Sequence, residues 1–168
     1  MAQSSQAKTY TLLGTDLALT RYVGVASSVP LAAADSWGTL DLQVVPGGKG
    51  GLPRTGDVDD LGAVSGRANL AQALVVRLLT RRGALSALGH PDYGCRLLEL
   101  IGELNNDATR NRARLFTIEA IAQEPRVKQL LDLQVGVVPD QPETLRISFS
   151  ILPIADDDPL ALTLDVSL

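Results

Sequence analysis

The chain has 168 residues, which fits one domain or one domain with an N-terminal extension, and 45 % of them are hydrophobic, which is enough for a proper core. Its formal net charge of −4 disfavours binding to bulk nucleic acid, and an aromatic content of only 4 % disfavours aromatic-lined sugar or single-strand clefts. One cysteine (Cys95) and one histidine (His90) exclude an internal disulfide and disfavour a protein-only zinc site, so no cofactor is expected.

The start of the chain, residues 1–8, is polar and lacks the apolar core of a signal peptide. No apolar run approaches the roughly 20 residues that span a bilayer. A lone thiol suits a reducing compartment. We therefore expect a cytoplasmic protein with no membrane partner and no nucleic-acid partner.

Residues 1–57 are interpreted as an N-terminal arm. Residues 1–8 are expected to be disordered, and residues 10–19 to form a strand or an extended arm broken by Gly14. Alternation of Leu40, Leu42 and Val44 with polar residues predicts a second short strand. The stretch 46–56 predicts a loop, because its glycines and prolines cannot hold a helix or a strand. Its spacing is not that of a phosphate-binding P-loop.

Residues 58–168 are interpreted as the main domain, and its first helix is predicted over 67–82. Leucines recur every fourth residue, Ser65 is placed to cap the start, and Gly83 follows the end. Basic residues gather in the last turns, where they complement the helix dipole. They predict either a solvated helix end or a basic contact patch, and they are Arg77, Arg81 and Arg82.

A loop over 83–94 and a short helical stretch over 96–101 lead to the second predicted helix, 108–123. Residues 105–107 can cap that helix. Its apolar face is predicted to consist of Leu115, Ile118, Ile121 and Ala122.

The triplet Glu124-Pro125-Arg126 follows the second helix and forms a rigid corner. Proline stops the helix because it lacks an N–H and its ring clashes with the preceding turn. An acid and a base held at such a corner present fixed charge to a partner. Glu124 would be a poor general acid, because the charge of Arg126 would lower its pKa.

The last forty residues predict a three-stranded antiparallel meander. Apolar residues alternate with polar ones over 131–137, 145–151 and 160–168, with turns at 139–142 and 156–159. The predicted fold is therefore α+β, with two main helices packed on this sheet. The last strand ends the sequence and is predicted to be an open edge that pairs with a neighbour, through residues including Leu162, Leu164 and Val166.

Catalytic patterns are weak. The available carboxylates lack the apolar wall that raises the pKa of a glycosidase acid, and they are Glu99, Glu103, Asp107, Glu119 and Glu124. Nothing orients His90 towards Cys95, and the run 156–158 lacks the glycine and distal glutamate of a calcium loop. By exclusion, the chain is interpreted as a non-enzymatic interaction module.

Two segments resemble a known family. The stretch 69–83 with His90-Pro91-Asp92-Tyr93-Gly94, followed by Glu124-Pro125-Arg126-Val127, is similar to the gene-25-like baseplate wedge proteins. This family includes subunits of contractile phage tails, tailocins and extracellular injection systems, and the type VI secretion subunit TssE is similar. The resemblance covers about residues 58–168, and residues 10–20 loosely.

The resemblance implies a structural subunit of a baseplate, generally in six copies, assembled in the cytoplasm into a virion-like or injection particle. Its implied partners are the larger wedge proteins, the sheath protein and the inner tube or hub proteins. The triplet Glu124-Pro125-Arg126 would dock on the helical core bundle of the wedge, and the sheet would start the sheath. A peptidoglycan hydrolase, after the lysozyme label of the family, and a regulatory anti-adaptor remain alternatives.

Overall fold

In the computed structural model, residues 12–19, 42, 44–46, 59–154 and 156–168 are described. The predicted disorder of residues 1–8 and the loop after Pro46 fall outside these residues. The described part has two α-helices and a C-terminal three-stranded antiparallel sheet, preceded by short strands. The predicted α+β architecture is thereby confirmed.

Among the described residues, four three-residue strands lie before the long helix that begins at Arg67. Strand β1 (Thr15–Leu17) pairs antiparallel with β4 (Ala63–Ser65), and β2 (Val44–Pro46) pairs antiparallel with β3 (Asp59–Leu61). Of the strand predicted over residues 40–44, Leu42 forms a bridge to Leu19 and Val44 begins β2, while the other residues fall outside the described part of the chain. Pro46, assigned to the loop, ends β2 instead.

Helix α1 (Arg67–Leu79) is shorter than predicted at its C-terminus. Thr80 leaves the helix in an extended conformation, while its hydroxyl donates to the Val76 carbonyl. The predicted cap by Ser65 is wrong: Gly66 is the N-cap residue, with φ of 65°, and no side chain caps the helix. The assignment of Arg81 and Arg82 to the last turn is also wrong, because the helix ends before them.

Two short 3-10 helices, Ser86–Leu88 and Leu97–Leu100, separate α1 from helix α2 (Asp107–Ala122). Asn106 caps α2 by accepting a hydrogen bond from the Thr109 amide, as its position predicts. The helix ends at Ala122, three residues before Pro125, which matches the restriction that proline places on the residue before it.

The predicted buried face of α2 is wrong at three of its four positions. Leu115 and Ile118 are 51 % and 40 % exposed, and Ala122 is exposed as well, so only Ile121 is buried. The face that packs against the rest of the protein consists instead of Thr109, Ala113, Phe116, Thr117, Ala120 and Ile121.

The C-terminal sheet has the order β5-β6-β7, from β5 (Val127–Val138), β6 (Gln141–Pro153) and β7 (Leu160–Ser167). Odd-numbered residues of β6 and even-numbered residues of β7 face the helices, so Ile147 lies beside Leu164 and Phe149 beside Leu162. The opposite face is polar, with Arg146 paired to Asp165 and Ser148 to Thr163. The strand order confirms the predicted meander. The predicted alternation of β5 is wrong at Leu131 and Val137, which are exposed beside shifts in its register with β6.

Candidate functional site

The corner Glu124-Pro125-Arg126 is a tight turn between α2 and β5. The Glu124 amide donates to the Ile121 carbonyl, and the Val127 amide donates to the Glu124 carbonyl, each at 3.0 Å. The Arg126 carbonyl accepts from the Ile154 amide at 3.0 Å, which attaches the corner to the end of β6. Backbone bonds on both sides therefore fix the direction in which each side chain leaves the corner.

Those directions differ sharply between the three residues. Glu124 is buried, with 4 % of its surface exposed, whereas Pro125 is exposed. The Arg126 side chain is 24 % exposed. Glu124 thus faces the interior, and only Pro125 and part of Arg126 are accessible to a partner.

Glu124 is the buried centre of an ion cluster with two partly buried arginines from different elements. Its Oε1 accepts from Arg126 Nε at 2.6 Å, and its Oε2 lies 3.3 Å from Arg77 Nη2 of α1. Burial alone would raise the pKa of the Glu124 carboxyl, but the hydrogen bond and charge of Arg126, with the charge of Arg77, lower it overall. We call Arg77, Glu124 and Arg126 the charged cluster.

Tyr93 forms one wall of the charged cluster. The Arg77 guanidinium lies 4.5 Å from the centre of the Tyr93 ring, a cation–π distance that compensates for part of its lost hydration. Burial raises the pKa of the Tyr93 hydroxyl, and nearby Glu124 also raises it while Arg77 lowers it. The loop before α2 is therefore packed against the corner through Arg77.

The charged cluster also binds the N-terminal segment. Arg126 Nη1 donates to the Leu13 carbonyl at 3.1 Å, and buried Asn69 of α1 donates to the same oxygen at 2.9 Å. Gln72, one turn further along α1, donates to the Leu17 carbonyl and accepts from the Leu19 amide. Leu13 itself is fully buried in the core. Residues 13–19 are consequently held against α1 by side chains from α1 and from the corner.

Gly94 shows why the loop before α2 passes so close to the end of α1. The Cys95 amide donates to the Thr80 carbonyl at 2.8 Å, and the Arg82 amide donates to the Cys95 carbonyl at 2.9 Å. A Cβ on Gly94 would lie 2.6 Å from the Thr80 oxygen, and the residue has φ of 106°. Only glycine fits this combination of conformation and contact.

Of the three arginines predicted as a possible contact patch, Arg77 lies in α1, whereas Arg81 and Arg82 lie on this loop. Both side chains are exposed. Arg82 pairs with Asp92 at 3.2 Å and lies 3.9 Å from Glu119 of α2. Arg81 has no ion-pair partner within 4 Å among the described residues. Arg81 is therefore the more accessible charge of the two.

The residues predicted at the sheet edge contribute backbone rather than side chains. Strand β7 is an edge of the C-terminal sheet, and among the described residues no strand pairs with its outer side. Leu164 and Val166 are buried in the core, and Leu162 packs against it. Any strand added to this edge would bond to main-chain groups.

The carboxylates considered for catalysis lie in pairs with arginines. Arg96 lowers the pKa of Glu99, Glu103 pairs with Arg112, and Asp107 is almost fully exposed. Every described carboxyl with a shifted pKa, Glu99, Glu124 and Asp156, is shifted downwards. A lowered pKa is the opposite of what a general acid needs at neutral pH.

The remaining candidate groups, His90, Cys95 and the turn 156–158, are not brought together in the structure. His90 is exposed in the loop, whereas Cys95 is buried, its pKa raised by burial, and its thiol donates to the Phe116 carbonyl. Asp156 accepts from Arg67 at 2.5 Å, so the predicted turn is attached to the start of α1.

The described residues contain no group of acidic, histidine or cysteine side chains arranged to hold a metal ion. No described helix is long and apolar enough to cross a membrane.

No protein-family model matches the chain, and no curated protein matches it either. Among solved structures, a Geobacter sulfurreducens protein described as a candidate tail lysozyme is similar in fold, with a TM-score of 0.50 and 23 % identity. The similarity covers 58 % of this chain and 86 % of that protein. At this identity the likeness shows only that the two proteins share a fold.

Proposed function

We propose that the chain is a structural, non-enzymatic baseplate subunit of a contractile tail or injection machine, of the gene-25-like wedge type. The observation that carries the proposal is that the two segments that resemble the gene-25-like family pack against each other. Tyr93 from the first and the Glu124-Pro125-Arg126 corner from the second lie about Arg77 in the charged cluster. The fold shared with the Geobacter sulfurreducens protein, whose description names a tail lysozyme, supports the same assignment.

The structure limits which parts of the corner can serve as a docking surface. Glu124 is used internally, so the proposed contact with larger wedge proteins consists of Pro125, the exposed part of Arg126, and Arg81. The role of Glu124 in docking is indirect: it fixes the guanidinium of Arg126. A charge reversal at Arg126 would break the charged cluster as well as the contact, so it cannot test docking alone.

The proposed sheath contact is the outer edge of β7. Its inward side chains belong to the core, and its outer main-chain groups are available for pairing with a strand of a neighbour. We assign the sheath protein to this edge and the wedge proteins to the corner. We further propose that the inner tube or hub proteins are partners, that each baseplate holds six copies of the chain, and that the particle assembles in the cytoplasm.

The test is to delete the gene in the host that carries it and to complement with a tagged copy. Sedimented particles are then examined by electron microscopy. We expect no complete sheathed particles without the gene, restoration by the wild-type copy, and tag density at the plate where the sheath begins. Normal particles in the deletion strain would overturn the proposal.

A peptidoglycan assay separates the hydrolase alternative. Purified protein is incubated with dye-labelled peptidoglycan beside an active lysozyme. We expect no release above buffer, because the described carboxyls with shifted pKa are all held ionised. Release above that of buffer would instead overturn the non-enzymatic assignment, and its loss in Glu124→Gln but not in Glu99→Gln would identify Glu124 as catalytic only where unfolding curves show both variants folded in the assay.

A further inference from the structure

Helix α2 has a second apolar face, which points away from the core. The exposed residues Ala108, Asn111, Leu115, Ile118 and Ala122 follow one another at alternating spacings of three and four. In an α-helix such residues form one continuous line along the surface. We call these five residues the outer seam.

The shape of the outer seam fits a helix rather than a strand or a loop. Rows with spacings of three and four pack into the grooves of a second helix at a crossing angle of about 20°. Leu115 and Ile118 supply two large apolar side chains at the middle of the line, 51 % and 40 % exposed. The alanines at both ends allow close approach of a partner backbone, and Asn111 offers one polar group for register.

The charge beside the outer seam indicates the chemistry of the partner. Arg110 pairs with Asp107, and Arg112 pairs with Glu103, so both are compensated within the chain. Arg114 directly precedes Leu115, is exposed, and has no ion-pair partner within 4 Å among the described residues. A partner helix with an acidic residue beside its own apolar line would neutralise Arg114.

A second copy of this chain fits the same surface less well. An antiparallel pair of α2 helices, centred on Leu115 and Ile118, would place the two Arg114 side chains on the same side of the contact. Like charges in that position are repulsive. The charge pattern therefore favours a different protein over self-association.

We propose that the outer seam binds an amphipathic helix of a partner protein, whose apolar line is flanked by aspartate or glutamate opposite Arg114. The outer seam ends at Ala122, two residues before the corner, and it contains none of the residues to which the baseplate contacts are assigned. The proposal holds whether or not the partner belongs to a baseplate.

The first experiment places a photo-crosslinking benzoylphenylalanine at position 118 of the full chain in the host that carries the gene. Crosslinked peptides are identified by mass spectrometry, with position 132, on the polar face of the sheet, as the matched control. We expect position 118 to crosslink to a segment with three–four apolar spacing and flanking acids. Crosslinks to a second copy, to a segment of another pattern, or to nothing would overturn the proposal.

The second experiment measures the purified chain against a synthetic peptide of the crosslinked segment by fluorescence anisotropy. Leu115→Asn with Ile118→Asn should weaken binding about a hundredfold, because central apolar contacts dominate such interfaces. Arg114→Glu should weaken it about fivefold, and replacing the flanking acids of the peptide by lysine should restore it. Unchanged affinity in the double variant, or no restoration by lysine, would overturn the proposal. Thermal unfolding of each variant confirms that these exposed substitutions leave the fold intact.

Discussion

Glu124 is the least exposed of the described charged residues, and its two carboxylate oxygens contact two arginines from different elements. Local sequence predicts the corner and its neighbouring Arg126, since proline stops the helix and the charges are adjacent. It does not predict Arg77, which is 47 residues earlier in the chain, nor the Leu13 carbonyl, 113 residues before Arg126. Those contacts depend on how α1 and the N-terminal segment pack.

Replacing Glu124 with glutamine should destabilise the protein strongly. The change leaves Arg77 buried without a compensating charge, and removing one partner of a buried pair costs about 3 kcal/mol. Glu99→Gln is the control, since the pair of Glu99 with Arg96 is exposed and such pairs contribute little. Urea unfolding of both variants gives the comparison, and equal stability of the two would refute a structural role for Glu124.

The same pair of proteins tests the pH dependence. The pKa of Glu124 is lower in the folded protein than in the unfolded chain, so ionised Glu124 stabilises the fold. This contribution is complete above the unfolded carboxyl pKa of about 4.3 and is lost as the pH falls through the folded pKa. The difference in unfolding free energy between wild type and Glu124→Gln should therefore shrink from pH 7 to pH 3. A constant difference would contradict the ionised state of Glu124.

Gly94 is a residue whose identity is set by a backbone contact. Alanine would place its Cβ 2.6 Å from the Thr80 oxygen and 2.8 Å from the Arg81 oxygen, at φ of 106°. We expect Gly94→Ala to cost about 2–4 kcal/mol of unfolding free energy. Gly89→Ala is the matched control: its φ is 85° but nothing lies within 4 Å, so about 1 kcal/mol is expected. Denaturant midpoints that shift equally would show that conformation alone, without the contact, accounts for the loss.

At the scale of elements, α2 shows where sequence patterns stop being decisive. The helix carries large apolar residues on both sides, Phe116 and Ile121 inside and Leu115 and Ile118 outside. Periodicity identifies the helix but not which line faces the core, since threonine and alanine fill much of the buried side. Strands β6 and β7 were predictable because a period of two leaves only one apolar face, whereas register shifts in β5 leave Leu131 and Val137 exposed.

The two faces of α2 predict opposite responses to truncation. Phe116→Ala should cost about 3–5 kcal/mol, because it leaves a cavity beneath the guanidinium of Arg96, which lies 4.3 Å from the ring centre. Leu115→Ala should cost less than about 1 kcal/mol, since the side chain is half exposed. Chemical unfolding of both variants measures this, and a larger loss for Leu115→Ala would contradict the assignment of the faces.

At the scale of the whole molecule, β7 both fills the core and offers the proposed edge for a neighbouring strand. A test of the edge must leave the core packing intact. Leu160, Leu164 and Val166 fill the core, so deleting the strand would unfold the domain rather than remove a contact surface. Ala161 and Thr163 lie on the polar face of the same strand, opposite Ser150 and Ser148. Lysine on an edge strand hinders the addition of another strand and is compatible with a solvated face.

We therefore expect Ala161→Lys with Thr163→Lys to fold normally and to fail in joining the sheath. Ser150→Lys is the matched control, because it adds a lysine to the same face on the central strand β6, whose two edges are already paired. In the complemented deletion strain, electron microscopy should show baseplates without full-length sheaths for the β7 variant and normal sheaths for the control. Full-length sheaths with the β7 variant would place the sheath contact elsewhere, since the main-chain groups of this edge are its proposed donors and acceptors.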